Sequence, residues 1–336
     1  MTKKRITIDD VAEASGISRT TVSYILNGKC ASFQISEATI RKVAETALQL
    51  NYHREKAQAA LDGLESAKVS VLVLSPWLYA QHSDFMAQLH PAFKAMEEQY
   101  RFEFVYMQYH SGQLGKVLRP MIFSRYDAVV ITGTSDEDNA YLARNREKLS
   151  RVILLNRRVE GILSVSGNDR EASLGLGRQL CAQMQYEPLL LISDRSSWCS
   201  RFRKEGFLQA AAEADRRIEV WDLDSQALTE ELLQKAEAFL GERGLVFFTQ
   251  YQPAAMLLIR RPEDTTRRGI ACYDEDKSIR RFLPRQLTTL DPCITEMARE
   301  AARMARQLKE GAQPEPVVIP AKLIQGETAV LASPAE

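Results

Sequence analysis

No stretch of this sequence is apolar for long enough to cross a bilayer, so a membrane-spanning helix is not expected. The basic start, Lys3-Lys4-Arg5, is followed by no apolar segment of signal-peptide type, and the chain reads as cytoplasmic. Cysteines are few and scattered (Cys30, Cys181, Cys199, Cys272, Cys293), with neither a metal-ligand nor a redox spacing; they read as reduced thiols. The four histidines (His53, His82, His90, His110) do not group, so no metal site is expected. Net charge is lacking too. The whole chain is formally neutral, and its first 62 residues carry nine Lys/Arg against seven Asp/Glu, which by itself announces no polyanionic partner. There is no nucleophile elbow, Walker loop, HExxH or glycine-rich dinucleotide turn, and Gly175-Leu176-Gly177 falls inside a helix-like segment rather than after a strand. An enzyme is not expected, nor a cofactor.

What is present begins at Ile6. The run ITIDDVAEASGISRTTVSYIL, residues 6–26, reads as two short helices around a tight turn. Thr7 suits an N-cap, and Asp10 three residues on completes a capping box. Val11 and Ala14 follow on an expected apolar face. Ser15-Gly16 then breaks the helix, because glycine tolerates the left-handed conformation of a sharp turn. Ser18 caps the second helix, in which Val22, Ile25 and Leu26 are expected inside and Arg19, Thr20, Ser23 and Tyr24 outside. Hydrogen-bonding side chains on the exposed start of a second helix are what reading base edges in the major groove requires. The pattern is a helix-turn-helix.

Thr7, Ile8, Asp10, Val11, Ala12, Ser15, Gly16, Ile17, Ser18, Thr21, Val22, Ser23, Leu26 and Asn27 together resemble the headpiece of the LacI/GalR family of bacterial repressors. The resemblance implies a double-stranded DNA operator as partner, near-palindromic and read by a homodimer. It implies a DNA-contacting set of Thr7, Ser18, Arg19, Thr20, Thr21, Ser23, Tyr24, Asn27 and Thr39, with Tyr24 standing where the family commonly has arginine.

After Asn27-Gly28 comes a loop, KCASFQI, longer than the family usually has; Lys29 and Phe33 in it either touch phosphate or partner or belong to a tolerated insertion. A third helix follows Ser36, with Ile40, Val43, Ala47 and Leu50 at helical spacing. The helix-turn-helix domain is placed at residues 1–53 and a hinge and linker at 54–68. REKAQAALDG (Arg54 to Gly63) is long enough for one or two helical turns. By resemblance, paired hinge helices enter the minor groove and Leu61 is the wedge between base steps. A plain linker is the other reading, since the family's proline near Arg54 is missing and Asp62 brings negative charge.

From Val69 the texture changes. Short apolar runs at residues 69–74, 102–107, 127–131, 151–155, 188–193, 218–221, 245–249 and 269–273 alternate with helix-length segments. That is the signature of parallel sheets covered on both faces. The fold class expected is a small all-α helix-turn-helix domain followed by an α/β periplasmic-binding-protein-like domain of two Rossmann-like lobes. By resemblance, lobe one takes about 69–164 plus 291–318, and lobe two about 165–290 plus 319–330, all within a domain spanning 69–336 that binds effector and dimerises. Only a short polar tail follows residue 324, without the leucine-heptad helix that makes some relatives tetramers, which is the ground for expecting a dimer.

Ligands of open α/β sheets bind beyond the carboxyl ends of the strands. Ser75, Trp77 and Phe85 stand after the first strand; Trp77 either stacks on a sugar or base or covers the lobe interface. The resemblance carries Arg203, in the family's R-x-x-G-F, and Asp274, in Tyr273-Asp274-Glu275, to the effector, with Asn156 where the family often has aspartate. Gln250 belongs to Phe248-Thr249-Gln250-Tyr251, where the family reads Asn-Asp, and Ser166-Gly167-Asn168-Asp169 matches its approach to a helix only loosely. A polar pocket residue exchanged for an aromatic one is expected. The function expected is a sequence-specific DNA-binding transcription regulator, a repressor of a catabolic or transport operon, modulated by a small-molecule effector such as a sugar or sugar derivative. The alternative is a regulator answering to a nucleoside, an organic acid or a protein partner with a degenerate sugar pocket. A transport-type sugar-binding protein would leave the headpiece unexplained.

Overall fold

The computed structural model describes residues 6–30, 33, 35–77, 83–195, 197–224, 229–260 and 268–332. Ala31, Ser32 and Gln34 of the loop after the second helix, and His82, lie outside the described residues. Two units emerge, one helical and one holding both sheets.

The helical unit contains α1 (Ile8–Ser15), α2 (Arg19–Leu26), α3 (Glu37–Gln49) and α4 (Arg54–Ala67). Thr7 caps α1 in a true capping box, its amide donating to Asp10 Oδ2 at 2.7 Å while its hydroxyl accepts from the Asp10 amide. Gly16 closes the helix at φ 66°, the left-handed conformation its sequence position predicts. Ser18 and Ser36 cap α2 and α3 through the amides of Thr21 and Thr39. Val11, Val22, Ile25, Ile40, Val43 and Ala47 close the core. Ala14 does not join it: Ser15 is the buried residue of that turn and Ala14 is exposed. Ser15 stands four residues from Val11, in line with it on the helix face, and spends its hydroxyl on the Ala12 carbonyl.

The hinge segment is longer than one or two turns. α4 runs for 14 residues, and Gly63 does not break it. Ala57 and Leu64, seven residues apart on one face, are buried against the α2–α3 core and supply the tertiary support that so short a helix lacks alone. Leu61 lies half-buried beside the same core.

The larger unit has two six-stranded sheets. In chain order its elements are β1 (Val69–Ser75), α5 (Ser83–Tyr100), β2 (Phe102–Gln108), α6 (Leu114–Val117), α7 (Pro120–Arg125), β3 (Ala128–Ile131), α8 (Asp136–Asn145), β4 (Val152–Leu155), β5 (Leu163–Gly167) and α9 (Asp169–Cys181). Then come β6 (Leu189–Asp194), α10 (Trp198–Glu213), β7 (Ile218–Leu223), α11 (Glu230–Leu240), β8 (Leu245–Phe248), α12 (Tyr251–Arg260), β9 (Gly269–Tyr273), α13 (Lys277–Arg280), β10 (Thr288–Asp291), α14 (Ile294–Lys309), β11 (Val317–Ile319) and β12 (Lys322–Ile324).

The sheet orders are β11-β5-β4-β3-β1-β2 and β12-β10-β9-β8-β6-β7, the same winding used twice. In each, the first strand sits between the second and third, so the connections run outward on both sides of it and leave a crevice at the strand ends. The interior strands are near-continuous apolar runs because helices cover both faces. β5, β10, β11 and β12 had no counterpart among the expected strands: β5, β10 and β12 mix in Ser, Thr, Asp or Lys, β11 is apolar but only three residues long, and pairing with neighbours makes them strands.

The lobe divide expected after Ser164 falls inside β5, which pairs with β4 and β11 through Gly167. α9 then belongs with the second sheet, where Leu176, Leu180 and Cys181 join its core. Ile319, expected in lobe two, pairs with Gly167 of the first sheet, and the chain passes to the second sheet before Lys322. α14 packs on β3, β4 and β5, as expected of a helix returning to lobe one.

Candidate functional site

The helical unit presents one polar face. Arg19 and Thr20 are exposed at the start of α2, with Arg19 Nε 3.4 Å from Asp9 Oδ1 in a pair open to solvent and therefore weak. Ser18 and Thr21 are tied hydroxyl to hydroxyl at 2.8 Å, as are Ser36 and Thr39 at 2.7 Å, so Ser18, Thr21 and Thr39 serve the caps. Asn27 bonds the Ser23 carbonyl and accepts from Lys56 Nζ at 2.9 Å, which links the end of α2 to α4. Tyr24 is half-buried, unlike the free outward side chain expected of it. Its ring stacks on Phe33 at 3.9 Å with 5° between planes. Phe33 is itself 50% exposed, so the stacked pair lies at the surface.

In the larger unit, a cleft of about 680 Å³ opens between the lobes where the strands end. Trp77, Phe85, Asn156, Arg203, Gln250 and Asp274 all line it, gathered from segments up to about 200 residues apart. Ser75 does not. It ends β1 fully buried, and its hydroxyl accepts from the Trp77 amide at 3.2 Å, holding the turn rather than a ligand. Phe85 meets Trp77 edge to face at 6.4 Å.

Asn156 and Asp274 occupy equivalent places, each the first residue after a strand and each left-handed, at φ 55° and 73°. Non-glycine residues held there store strain that the surrounding lobes must impose, a common mark of functional positions. Arg203, only 3% exposed, donates to Asp169 Oδ1, Asp274 Oδ2 and the Thr249 carbonyl, each at 2.8 Å, and lies 3.8 Å over the Tyr273 ring. Its flanking carboxylates hold it charged, well above the ordinary guanidinium range. Burial pushes the Asp274 carboxyl up, against the pull of Arg203. Asp169, in the segment that matched only loosely, is thus the buried orienting partner of Arg203.

Phe248 and Tyr251 both belong to the core of the second lobe, Tyr251 also bordering the cleft, and Gln250 donates to Asp194 Oδ2 at 2.9 Å. Gly206 of R-x-x-G-F has a packing reason: a Cβ there would fall on the Arg170 carbonyl, where α9 crosses α10.

Arg157, Trp198 and Cys199 line the cleft as well, without a sequence signal of their own. Arg157 follows Asn156 and is 5% exposed, its guanidinium 5.7 Å from the Trp77 ring and 5.4 Å from that of Trp198. Cys199 accepts from Arg157 Nη1 at 3.3 Å, and burial raises its thiol to about 11, which favours the neutral form. Among the described residues, no group of three or more His, Cys, Asp and Glu side chains could hold a metal ion, and no helix is long and apolar enough to cross a membrane.

A capped helix-turn-helix joined to a two-lobed, doubly wound domain with a ligand-sized cleft defines the class of periplasmic-binding-protein-like regulators. Residues 7–55 match the profile "Bacterial regulatory proteins, lacI family", and 68–239 match "Periplasmic binding proteins and sugar binding domain of LacI family". The chain belongs to the LacI family.

It is similar to the "Probable HTH-type transcriptional repressor ExuR" of Bacillus subtilis, 29% identical over 61% of this chain and 60% of that protein. It is also similar to the "Maltose regulon regulatory protein MalI" of Escherichia coli, 32% identical over 46% and 44%. The matched part spans about 60% of the length of the first of these relatives. Among solved structures, a LacI-family regulator from Silicibacter pomeroyi aligns with TM-score 0.63 at 21% identity over 96% of this chain and 99% of that one. The lac repressor dimer bound to operator and the anti-inducer ONPF aligns with TM-score 0.64 at 17% identity, over 97% and 99%. These two likenesses show the fold.

Proposed function

We propose that this protein is a DNA-binding repressor whose operator affinity is set by a small molecule, a sugar or sugar derivative, in the interlobe cleft. The observation that carries the reading is the pairing of Arg203 with Asp274 at the mouth of two crossing β–α units, opposite the strained Asn156. A planar guanidinium and two short polar side chains on fixed backbone suit hydroxyl groups, and Trp77 offers an apolar ring face. Relatives whose names refer to maltose and to fructose support a carbohydrate.

In this reading the headpieces of a homodimer address a near-palindromic operator through Arg19, Thr20 and Tyr24. Leu61 enters the minor groove when two hinge helices pair. The half-buried seat of Leu61 beside Ala57 and Leu64 is then a resting position, left when DNA offers a better partner. The effector acts by favouring one lobe arrangement over another, since a ligand that binds both equally shifts nothing.

Selection of genomic fragments on the full chain, followed by affinity measurement on the enriched duplex and a scrambled one, tests this. Enrichment of one near-palindrome bound by a dimer is the expected result. Equal binding to both duplexes overturns it.

A further inference from the structure

We infer that Phe33 is a positioning residue for DNA reading: by stacking on Tyr24 it fixes that ring to meet the C5-methyl group of a thymine in the major groove. The inference rests on the operator reading of the helical unit. Tyr24 is the single aromatic residue of α2, on one helix face with Thr20, four residues before it, and Asn27, three after it. Val22, Ile25 and Leu26 make the buried side of α2, and Thr20 and Asn27 are exposed, yet Tyr24 is half-buried. Phe33 covers one face of its ring, with 3.9 Å between centroids and 5° between planes.

The loop after α2 is anchored on both sides of Phe33. The Lys29 amide donates to the Tyr24 carbonyl at 2.9 Å, and the Cys30 carbonyl accepts from the amides of Phe33 and Ile35, each at 3.3 Å. Cys30 and Ile35 pack against the core of the helical unit. A packing residue of this size would close over its neighbour and leave water. Phe33 does the first and not the second, remaining 50% exposed. The pair is therefore a fixed apolar surface beside hydrogen-bonding side chains. A tyrosine hydroxyl both donates and accepts, so by itself it separates the four bases poorly. The apolar ring is more selective, because the thymine methyl is the apolar group that base pairs present in the major groove. Turning Tyr24 away would forfeit its contact with Phe33, so the ring is ordered before DNA arrives and loses little freedom on binding. Arg19 and Thr20, exposed at the start of the same helix, are left for the donor and acceptor groups of other base pairs.

The test is an anisotropy titration of the full chain against duplexes built on the sequence that genomic selection yields. The base pair met by Tyr24 is the one whose preference Tyr24→Ala erases in a randomised library, and thymine is expected there. Replacing it with deoxyuridine removes the methyl alone and should weaken binding by the parent about fourfold, the effect of one buried methyl group. Cytosine there should bind weakly, and 5-methylcytosine should recover part of the loss. Phe33→Ala and Phe33→Leu should be indifferent to deoxyuridine, since neither side chain can stack, whereas Phe33→Tyr should keep the parent's penalty. Thermal unfolding followed by circular dichroism separates this from misfolding, and the deoxyuridine comparison on the parent needs no variant. Deoxyuridine bound as tightly as thymine by the parent, another base preferred at that position, or no preference erased by Tyr24→Ala overturns the inference. So does the parent's penalty kept in folded Phe33→Ala, or a loss in that variant equal for every base, which makes Phe33 a backbone contact. A parent that binds a scrambled duplex as well as the selected one overturns the operator reading itself, and this inference with it.

Discussion

Arg203 Nη1 and Asp274 Oδ2 meet at 2.8 Å across the mouth of the second lobe, one side chain buried and the other a third exposed. The buried one is fixed from behind by Asp169, and the partly exposed one is left with a face toward the cleft. A single ion-pair chain thus runs from the lobe interior to the place where a ligand hydroxyl would sit.

Breaking that chain should be felt in stability as well as in binding. Arg203→Ala leaves Asp169 buried and unpaired, a loss of about 3–5 kcal/mol. Arg203→Lys should recover little, because an ammonium cannot reach both carboxylates and the Thr249 carbonyl in one plane. All three tryptophans (Trp77, Trp198, Trp221) lie in the two-lobed unit, so urea unfolding followed by their fluorescence reads this unit alone. Unchanged unfolding of Arg203→Ala would show that the network is dispensable.

Gly206→Ala should destabilise the same unit by about 1–3 kcal/mol, because α9 and α10 would have to separate. Gly175→Ala is the internal control: its Cβ meets nothing within 4 Å, and replacing a helical glycine there should stabilise by up to about 1 kcal/mol. The two substitutions share a helix pair and should act in opposite directions in the urea experiment.

On the DNA side, Arg19→Ala should erase one base preference in a randomised operator library, with about 1–3 kcal/mol of discrimination lost at that position. Phe33→Ala should broaden preference at a different position by releasing the stacked Tyr24 ring, a contact worth about 0.5–1.5 kcal/mol. A preference profile identical to the parent's in either variant removes that residue from the reading set.

Leu61→Ala and Leu64→Ala separate wedge from anchor. Leu64 is fully buried and its truncation should cost the headpiece about 2–5 kcal/mol by circular dichroism. Leu61→Ala should cost less than that in folding yet remove DNA bending and most operator selectivity, while binding to scrambled DNA persists through phosphate contacts. Parent-like bending by Leu61→Ala makes the hinge a tether only.

Caps, turn and alternating strands were legible in the sequence because each depends on neighbours a few residues away. Thr7 with Asp10, Gly16, and the apolar runs that became β1, β6 and β8 needed no tertiary information. The family pattern likewise singled out Asn156, Arg203, Gln250 and Asp274, which line one cleft. Ser75 was misplaced because its position at a strand end says nothing about which side of the turn it faces. α4 was underestimated because its length depends on Ala57 and Leu64 docking on other helices.

By itself, then, the sequence determined a helix-turn-helix followed by two lobes of alternating strands and helices, since capping and hydrophobic period are local properties of the chain. Only the tertiary structure decided that Trp77, Arg157 and Trp198 share one wall, that Asp169 orients Arg203, and that Tyr24 leans on Phe33. Those relations join residues brought together by sheet winding and loop closure. Charge compensation of a buried arginine depends on what the fold sets against it, which no spacing along the chain encodes.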